Sequence, residues 1–505
     1  MTKDQLQLNR RALLAGAGAG SAALMLAQNS AAAQPAPGRA IVFTHTSVFV
    51  SADIMHEDVA LAVAGGKIAA IGPTDAILQQ YPGADIYDGR GKAILPGLIN
   101  CHSHVPSTID RGFNEDFGFP NSAHLGIGIN QLLSPEERLL MTSVGALECI
   151  KAGTTSVVEF ASGISDYAGT LAKAGLRCVF AESISDNDTA TDGFTPDKLA
   201  KEAPLVFSAK KREAGLQRIA DLTAAWNNKE NGRIRVFPAV STAGASSPEL
   251  LAAIHAMARQ NGGGYAIDLS MSVAENDFMK RYRGMTPTAY LAQAGFLGPH
   301  LIATHCRYLE DGDIALLGKA RTIVSHQAVM SANRGASPPI PALRAAGCTI
   351  AYGTDNNSND MFEVMRVALL TERVRRGDDP MPGMRPQPED VFEDCTQGGA
   401  TAMFQDKVLG SLDIGKIADL VVLDTQRANL APCGRILSAW IHNGQPSDIE
   451  SMMVDGVFLM RSRKVLTMDE SALIAEADKV GKRVWAKIRA AGRVAIPGRP
   501  KNPGI

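Results

Sequence analysis

The sequence is poor in aromatic residues and has no long run of basic ones. Only 5% of its 505 residues are Phe, Trp or Tyr, and the formal net charge is −2. Nucleic-acid binding normally requires clustered Lys and Arg, and single strands are usually held on aromatic side chains. We therefore expect no nucleic-acid partner.

Paired cysteines and late apolar segments are also missing. Seven cysteines are scattered along the chain, and an odd number in so long a chain argues against a disulfide framework. Beyond the first 33 residues, no apolar run reaches the ~20 residues that a spanning helix needs. We expect buried cysteines and no membrane association once the N-terminal segment is removed.

The N-terminal segment is typical of an export signal. Arg10 and Arg11 precede an apolar run from Ala12 to Ala27, and Ala31-Ala32-Ala33 offers small residues for cleavage. The alternative is a membrane anchor, but glycines interrupt the run and it is too short to span. We expect residues 1–33 to be a twin-arginine signal peptide. The mature chain would then be periplasmic or extracellular.

Short apolar segments with the character of strands lie near both ends of the chain. Val59–Val63 and Lys67–Gly72 flank Gly65-Gly66, which predicts a β-hairpin. Ala418–Leu423 and Met453–Met460 have the same character much later. We expect the two ends to build one small β-sandwich.

Between these ends, strands alternate with helical stretches, as a parallel (β/α)8 barrel requires. The eight candidate strands are Ile94-Leu95, Thr155–Phe160, Arg177–Ala181, Arg235–Val240, Ala266–Val273, Ile302–His305, Thr322–Ser325 and Cys348–Gly353. We therefore expect an α/β fold, a distorted TIM (β/α)8 barrel with a small β-sandwich domain formed by both chain ends. The expected boundaries are residues 40–94 and 410–468 for the sandwich, 95–409 for the barrel, and 469–505 for a C-terminal helix, over Ser471–Arg489, and tail.

The strongest chemical signal is the pair His102 and His104, which follows Pro96-Gly97 at the end of a predicted strand. Alternate residues of a strand point to the same side, so the two imidazoles converge on one point. Such a pair suits Zn2+ or Fe2+. The pattern favours metal ligands over two surface histidines.

Other short motifs accompany this pair along nearly the whole mature chain. They are Leu95–His104, Arg111-Gly112, Gly153–Thr155, Ser325–Gln327, Gly353–Asp355 and Gly410–Leu420. Together they resemble the amidohydrolase superfamily, and in particular its triazine hydrolase and cytosine deaminase-like branch. The resemblance implies a metal-dependent hydrolase that uses metal-activated water to cleave a C–N bond of a small heterocyclic substrate, by deamination or amide hydrolysis. It also implies a homodimer.

The resemblance also implies roles for single residues. His102, His104 and Asp355 would bind the metal, Glu275 would shuttle protons, and His305 would bind the metal or its hydroxide. A divalent cation lowers the pKa of bound water to ~7, and a carboxylate is a good oxygen ligand for it. We expect a single ion, because the fourth strand has no lysine to bridge two ions. Zn2+ is expected in preference to Fe2+.

One position departs from the family pattern. In that branch a metal-binding histidine precedes the acid/base glutamate by three residues, but Ser272 stands in that place before Glu275. A neutral hydroxyl is a poor ligand for a divalent metal beside imidazole. Either the remaining residues hold the metal, with His305 as a direct ligand, or the site has lost its metal.

Three residues are expected to contact the substrate: Arg111, Ser272 and His326. His326 resembles a histidine that faces the substrate, although a buried structural histidine fits the pattern equally well. The loops Phe113–Leu132 and Asp186–Phe207 would define the substrate, but loop sequences carry no transferable code. Two other functions remain open: an exported binding protein on a barrel that has lost activity, and a lyase or hydratase that uses the same water.

Overall fold

The computed structural model describes residues 39–117, 128–189, 204–356, 358–377 and 383–490. The predicted signal peptide and parts of both predicted substrate loops lie outside these ranges, as does the tail after Ala490. Among the described residues, no helix combines the length and the hydropathy required to cross a bilayer.

The strands form one eight-stranded and one nine-stranded sheet. In chain order they are β1 (Ile41–Phe49), β2 (Met55–Ala64), β3 (Lys67–Gly72), β4 (Asp85–Asp88), β5 (Lys92–Pro96), β6 (Leu98–Ser103), β7 (Thr154–Ala161), β8 (Arg177–Ile184), β9 (Ile234–Thr242), β10 (Tyr265–Leu269), β11 (Leu301–His305), β12 (Ile323–His326), β13 (Thr349–Tyr352), β14 (Leu420–Asp424), β15 (Ile449–Val454), β16 (Val457–Arg461) and β17 (Lys464–Val465).

The nine-stranded sheet contains strands from both ends of the chain, as predicted. β5 pairs antiparallel with β14, and β2 and β3 form the predicted hairpin around Gly65-Gly66. The apolar stretch Met453–Met460 is two strands rather than one, because Asp455 and Gly456 turn the chain with φ of 56° and 72°. The sheet curls around its own apolar core and so forms the small sandwich.

The eight strands β6 to β13 are parallel and follow one another around the barrel. Seven of the eight predicted strands correspond to barrel strands. The first prediction is wrong, because Ile94-Leu95 lies in β5 of the other sheet and the barrel begins at Leu98. Gly97 joins the two sheets, and a Cβ there would lie 2.3 Å from the Thr155 side chain. Glycine therefore permits this close passage.

Helices cover the outside of the barrel and one face of the sandwich. In chain order they are α1 (Thr74–Gln80), α2 (Asn114–Phe117), α3 (Pro135–Lys151), α4 (Ala168–Ala174), α5 (Ala209–Trp226), α6 (Pro248–Asn261), α7 (Val273–Arg283), α8 (Pro287–Gln293), α9 (Asp311–Lys319), α10 (Ala328–Asn333), α11 (Ile340–Ala346), α12 (Met361–Arg376), α13 (Pro388–Glu393), α14 (Gly399–Ala402), α15 (Ile436–Asn443) and α16 (Glu470–Ala490). The predicted C-terminal helix is α16, which packs on α3.

A buried ion pair joins the two sheets. Arg177, at the start of β8, donates from Nε and Nη2 to the two Asp419 oxygens at 2.7 and 3.1 Å. Asp419 Oδ1 also accepts from the backbone N–H of Asp455 at 2.7 Å. Both charged side chains are buried, and buried charges are tolerated when they are paired and hydrogen-bonded. The pair therefore fixes the end sheet against the barrel.

Candidate active site

Five side chains that could bind a metal converge at the C-terminal end of the barrel. They are His102 and His104 from the end of β6, Asp268 from β10, His305 from β11 and Asp355 after β13. His102 Nε2 lies 3.8 Å from Asp268 Oδ1, and His104 Nε2 lies 3.5 Å from Asp355 Oδ1. His305 Nε2 lies 3.7 Å from an oxygen of each carboxylate.

The separations within this cluster suit the ligands of one divalent ion. Neither His102 Nε2 nor Asp268 Oδ1 has a hydrogen-bond partner, although both atoms are buried. Ligand atoms ~2.1 Å from a tetrahedral ion lie about 3.4 Å apart, whereas direct hydrogen bonds would bring them to ~2.9 Å. The observed separations of 3.5 to 3.8 Å are closer to the first value. Imidazole and carboxylate are also common ligands of zinc, so the residues fit a metal ion.

Burial controls the protonation of the cluster. It lowers the pKa of His102 well below the usual value, with smaller contributions from His104 and His305. Burial also lowers the pKa of His305, and a neutral imidazole is the form that binds a metal. Burial raises the pKa of Asp355, and it raises the pKa of Asp268 further with the help of nearby carboxylates. A bound cation would favour the ionised form of both acids.

The Gly353-Thr354-Asp355 motif closes the barrel at this site. A Cβ at Gly353 would lie only 2.7 to 2.9 Å from atoms of His102. Thr354 N donates to Asn100 Oδ1 at 3.1 Å, and Asn100 Nδ2 donates to Thr354 Oγ1 at 2.8 Å. Asp355 N donates to the carbonyl of His102 at 2.9 Å. These contacts place the carboxylate of the last strand beside the histidines of the first.

Left-handed backbone conformations occur at three strand ends around the cluster. Ser270, His305 and Asp355 have φ of 46°, 71° and 63°. Residues other than glycine seldom adopt such angles, and they concentrate at functional sites. Gln327 stabilises one of them, because its Oε1 accepts from His305 N at 3.0 Å. The sequence motif around His326 thus contributes its neighbour Gln327 to the site.

The structure does not bring Ser272 or Glu275 into the cluster. β10 ends at Leu269, four residues before the predicted end, and Ser272 is the N-cap of α7, where its Oγ accepts from Glu275 N at 3.1 Å. Glu275 is fully buried and accepts from Met271 N at 2.9 Å. Burial raises its pKa to about 8. Neither residue lines the two cavities beside the cluster.

Asp268 is the cluster residue that sequence reasoning missed. It lies two residues after Ala266, which faces the barrel interior, so its side chain faces the same way. Three residues after Asp268 stands Met271. The carboxylate of the fifth strand lies four residues before Ser272, the position at which the family pattern has its histidine. An acidic residue inside an otherwise apolar strand was the available signal.

Two predicted substrate contacts, Arg111 and His326, line neither of the two cavities beside the cluster. Arg111 is exposed, pairs with Glu148, and is not among the residues that line the two adjacent cavities. His326 lines a separate cavity of about 340 Å³ with Tyr352, beside α11 and α12. Burial lowers the pKa of His326 to about 3. Its Nδ1 is buried without a hydrogen-bond partner, and the residue lies near enough to His305 to contribute to the lowered pKa of that histidine.

Of the cavities that reach the cluster, two share His104, Asp268 and Asn356. The larger has a volume of about 620 Å³, which is in the range of small-molecule sites. Five serines supply hydroxyl groups to its wall: Ser107, Ser162, Ser183, Ser185 and Ser241. The smaller, here called the recess, measures about 80 Å³ and includes His305, Asp355, Arg307 and Arg334.

Comparison with known proteins extends over most of the chain. Residues 93–459 match the amidohydrolase family, and residues 60–84 match an imidazolonepropionase-like composite domain of bacteria. A 5-methylthioadenosine/S-adenosylhomocysteine deaminase from Pelotomaculum thermopropionicum is 28% identical over 435 residues, 85% of this chain and 94% of that protein. The enzyme of the same name from Syntrophobacter fumaroxidans is 30% identical over 424 residues, 81% of this chain and 90% of that protein.

Solved structures share the fold at lower identity. A zinc-bound adenosine deaminase from Xanthomonas campestris has a TM-score of 0.76 at 23% identity, covering 90% of this chain and 100% of its own. A zinc complex of atrazine chlorohydrolase from Arthrobacter aurescens TC1 has a TM-score of 0.77 at 20% identity, covering 87% and 100%. These likenesses confirm the predicted barrel. Because the family match spans more than half of its residues, the chain belongs to the amidohydrolase family and is a metal-dependent hydrolase of C–N bonds other than peptide bonds.

Proposed function

We propose that this hydrolase deaminates an amino-substituted heterocycle that carries hydroxyl groups, as a nucleoside does. The observation that carries the proposal is the position of the histidine and aspartate cluster beside a serine-lined cavity of about 620 Å³. Serine hydroxyls both donate and accept hydrogen bonds, so they suit a sugar-like substituent. The names of the relatives, which are deaminases of adenine nucleosides, support the same substrate class.

We assign the metal site to His102, His104, Asp268 and Asp355, with His305 beside them, and propose zinc as the ion. A divalent ion held there supplies hydroxide at neutral pH, because it lowers the pKa of water to ~7. The residues keep the site rigid: Thr304 Oγ1 lies 3.4 Å from His102 Nδ1, and Gln327 holds the His305 backbone.

Proton transfer to the leaving nitrogen requires a residue at the cavity wall. Met271 has no titratable group, and Glu275 lies outside both cavities. His305 reaches the recess, and its Nε2 lies 3.7 Å from both carboxylates. We therefore propose that His305 Nε2 orients the attacking water, and that Asp355, which lines the same recess and whose pKa burial raises, accepts the proton during attack and returns it to the departing amine.

The test combines metal analysis with ammonia detection. The purified mature chain, loaded with Zn2+, is expected to retain one ion and to release ammonia from at least one of adenosine, 5'-deoxyadenosine and 5-methylthioadenosine. Chelation should remove the activity and added Zn2+ should restore it. A metal-loaded protein that releases no ammonia from any amino heterocycle would contradict the proposal and favour a binding protein.

Replacement of Asp268 and of Ser272 tests which of the two residues contributes to metal binding. The structure favours Asp268, and the family spacing points to Ser272. Asp268→Ala is expected to weaken zinc binding by more than ~10-fold, because it removes an oxygen that faces His102 and His305. Ser272→Ala should keep its zinc and lose only ~1 kcal/mol of stability as a helix cap. Zinc titration and thermal unfolding of both variants measure this. Zinc loss in Ser272→Ala alone would reverse the assignment.

We also propose export by the twin-arginine route, supported by Arg10 and Arg11 before the apolar run. Replacement of both arginines by lysine is expected to leave the precursor in the cytoplasm. Cell fractionation with an antibody against the mature chain is the measurement, and a variant with one exposed mature residue replaced, Arg259→Lys, is the control. Normal export of the double lysine variant would contradict this location.

The expected partners follow from the family resemblance. We propose that the mature chain is a homodimer that binds a small molecule and no nucleic acid. Sedimentation equilibrium of the mature protein checks the first statement, and a monomer at micromolar concentration would contradict it.

A further inference from the structure

We infer that Arg307 binds an anionic group of the substrate, a carboxylate or a phosphate, in the recess beside the metal cluster. Arg307 follows His305 by two residues and lines the recess together with Asp355 and Arg334. The inference rests on the proposed function, which places the ring of the substrate over the cluster.

The guanidinium of Arg307 is only partly satisfied. Its Nη2 donates to the carbonyl of Met271. Its Nε and Nη1 are buried without a hydrogen-bond partner, and its guanidinium carbon lies 5.9 Å from the centre of the Tyr308 ring. Leaving a buried charged donor unpaired is costly, so the unpaired donors of a side chain that lines a cavity indicate a ligand that pairs with them.

Arg177 shows how this chain satisfies a buried arginine that has a structural role. Its guanidinium makes two hydrogen bonds to Asp419, at 2.7 and 3.1 Å. Arg307 has the same planar set of donors but meets only one carbonyl oxygen. The unused Nε and Nη1 suit a planar or tetrahedral oxyanion, to which arginine binds with two parallel bonds.

The charge of the recess favours the same ligand. A divalent cation held by the cluster would offset the charges of Asp268 and Asp355. Arg307 and the half-buried Arg334 contribute positive side chains to the wall of the recess. The serine-lined cavity lies beyond the shared residues His104 and Asp268. The anionic group therefore belongs on the side of the substrate opposite its hydroxyl groups.

The test measures binding rather than turnover. Titration calorimetry on the zinc-loaded mature chain compares 2-aminonicotinate with its uncharged amide, 2-aminonicotinamide, and then with inorganic phosphate. We expect the carboxylate to bind ~10- to 150-fold more tightly than the amide, as a charged hydrogen bond predicts. Arg307→Met should remove this preference, and Arg307→Lys should reduce it because lysine lacks the paired donors. Arg259→Met, an exposed arginine on α6, is the matched control and should keep the preference.

Each outcome has one meaning. Equal affinity of the two aminonicotinyl probes for the wild type, including failure of both to bind at millimolar concentration, overturns the inference. A preference that survives in both Arg307 variants also overturns it, because the anion would then contact the ion alone. Tighter binding of phosphate than of the carboxylate, with the same dependence on Arg307, identifies a phosphate-bearing substrate.

The ammonia assay separates this inference from the proposed function. Ammonia release from uncharged nucleosides, with no effect of Arg307 on the affinity ratio, would retain the deaminase and remove the anion site. An affinity ratio that depends on Arg307, without ammonia release from any amino heterocycle, would retain the anion site and remove deamination.

Discussion

The His102→Ala variant is expected to lose tight zinc binding and all measurable hydrolysis while the barrel remains folded. His102 belongs to both groups of potential ligands, and its Nε2 faces Asp268 across 3.8 Å. Loss of a partner that only orients a ligand lowers metal affinity by ~10- to 100-fold. Loss of the ligand itself should lower the affinity by a larger factor. Elemental analysis after dialysis, together with circular dichroism, measures both parts of the expectation.

The matched control is His56→Ala, which removes an exposed histidine of β2. It should retain zinc and activity. A His102→Ala protein with full zinc content would show that the ion lies elsewhere. A His102→Ala protein that fails to fold would instead assign His102 a structural role, because the wild type purified without zinc should still be folded.

The Asp419→Asn variant is expected to lose about 3 kcal/mol of stability, because the buried charge of Arg177 then keeps only the more distant carboxylate of Asp455, 3.8 Å from its Nη2. Arg177 is 2% exposed and donates to both oxygens of Asp419. In the wild type the two Asp419 oxygens accept hydrogen bonds from Arg177 and from the backbone N–H of Asp455. The asparagine side chain offers only one oxygen to these donors. Urea unfolding of the wild type and the variant, followed by circular dichroism, measures the difference.

Two controls distinguish a buried charge from a general effect of substitution. Asp88→Asn breaks an exposed pair with Arg90 and should leave stability almost unchanged. The double variant Arg177→Met/Asp419→Leu removes both charges and should recover most of the loss, because apolar replacement of a buried pair is often neutral. A double variant as unstable as Asp419→Asn would contradict this account.

Local patterns were sufficient to predict the barrel and the common direction of His102 and His104, and the family resemblance added Asp355. His102 and His104 alternate on one strand, so their common direction follows from strand geometry. Asp355 follows a short apolar strand and a glycine that allows the backbone to approach His102. Both features depend on residues adjacent in sequence, which is why they could be read without a structure.

The end of the fifth strand could not be read in the same way. The apolar residues Met271 and Val273 extend the strand pattern, and the spacing to Glu275 places Ser272 where the family has its ligand. The structure shows that the chain leaves the strand at Ser270, with φ of 46°, and that Ser272 caps a helix. The Ser-x-x-Glu spacing is a signature of a helix start. Weighing it against the strand pattern would have directed attention to Asp268.

His326 and Gln327 show that the direction of a side chain is harder to predict than the position of its strand. The motif containing both residues is visible in the sequence, but which of them faces the cluster depends on where β12 ends. The structure turns His326 toward Tyr352 and directs Gln327 to the backbone of His305. A shift of one residue reverses the direction of a side chain on a strand, so prediction within one residue is not sufficient here.

The pairing of β5 with β14 has a consequence for how the protein is made. Gly97 alone separates β5 from β6, the strand that carries His102 and His104, and β5 is held in place by residues Leu420–Asp424. β5 also pairs with β1, which precedes it in the chain, but a ribosome must add more than 300 residues after the two histidines before β5 gains its second neighbour. Contacts between such distant segments form late in folding. Metal insertion is thus expected to follow release of the finished chain, with the first ligands to be synthesised among the last to be positioned.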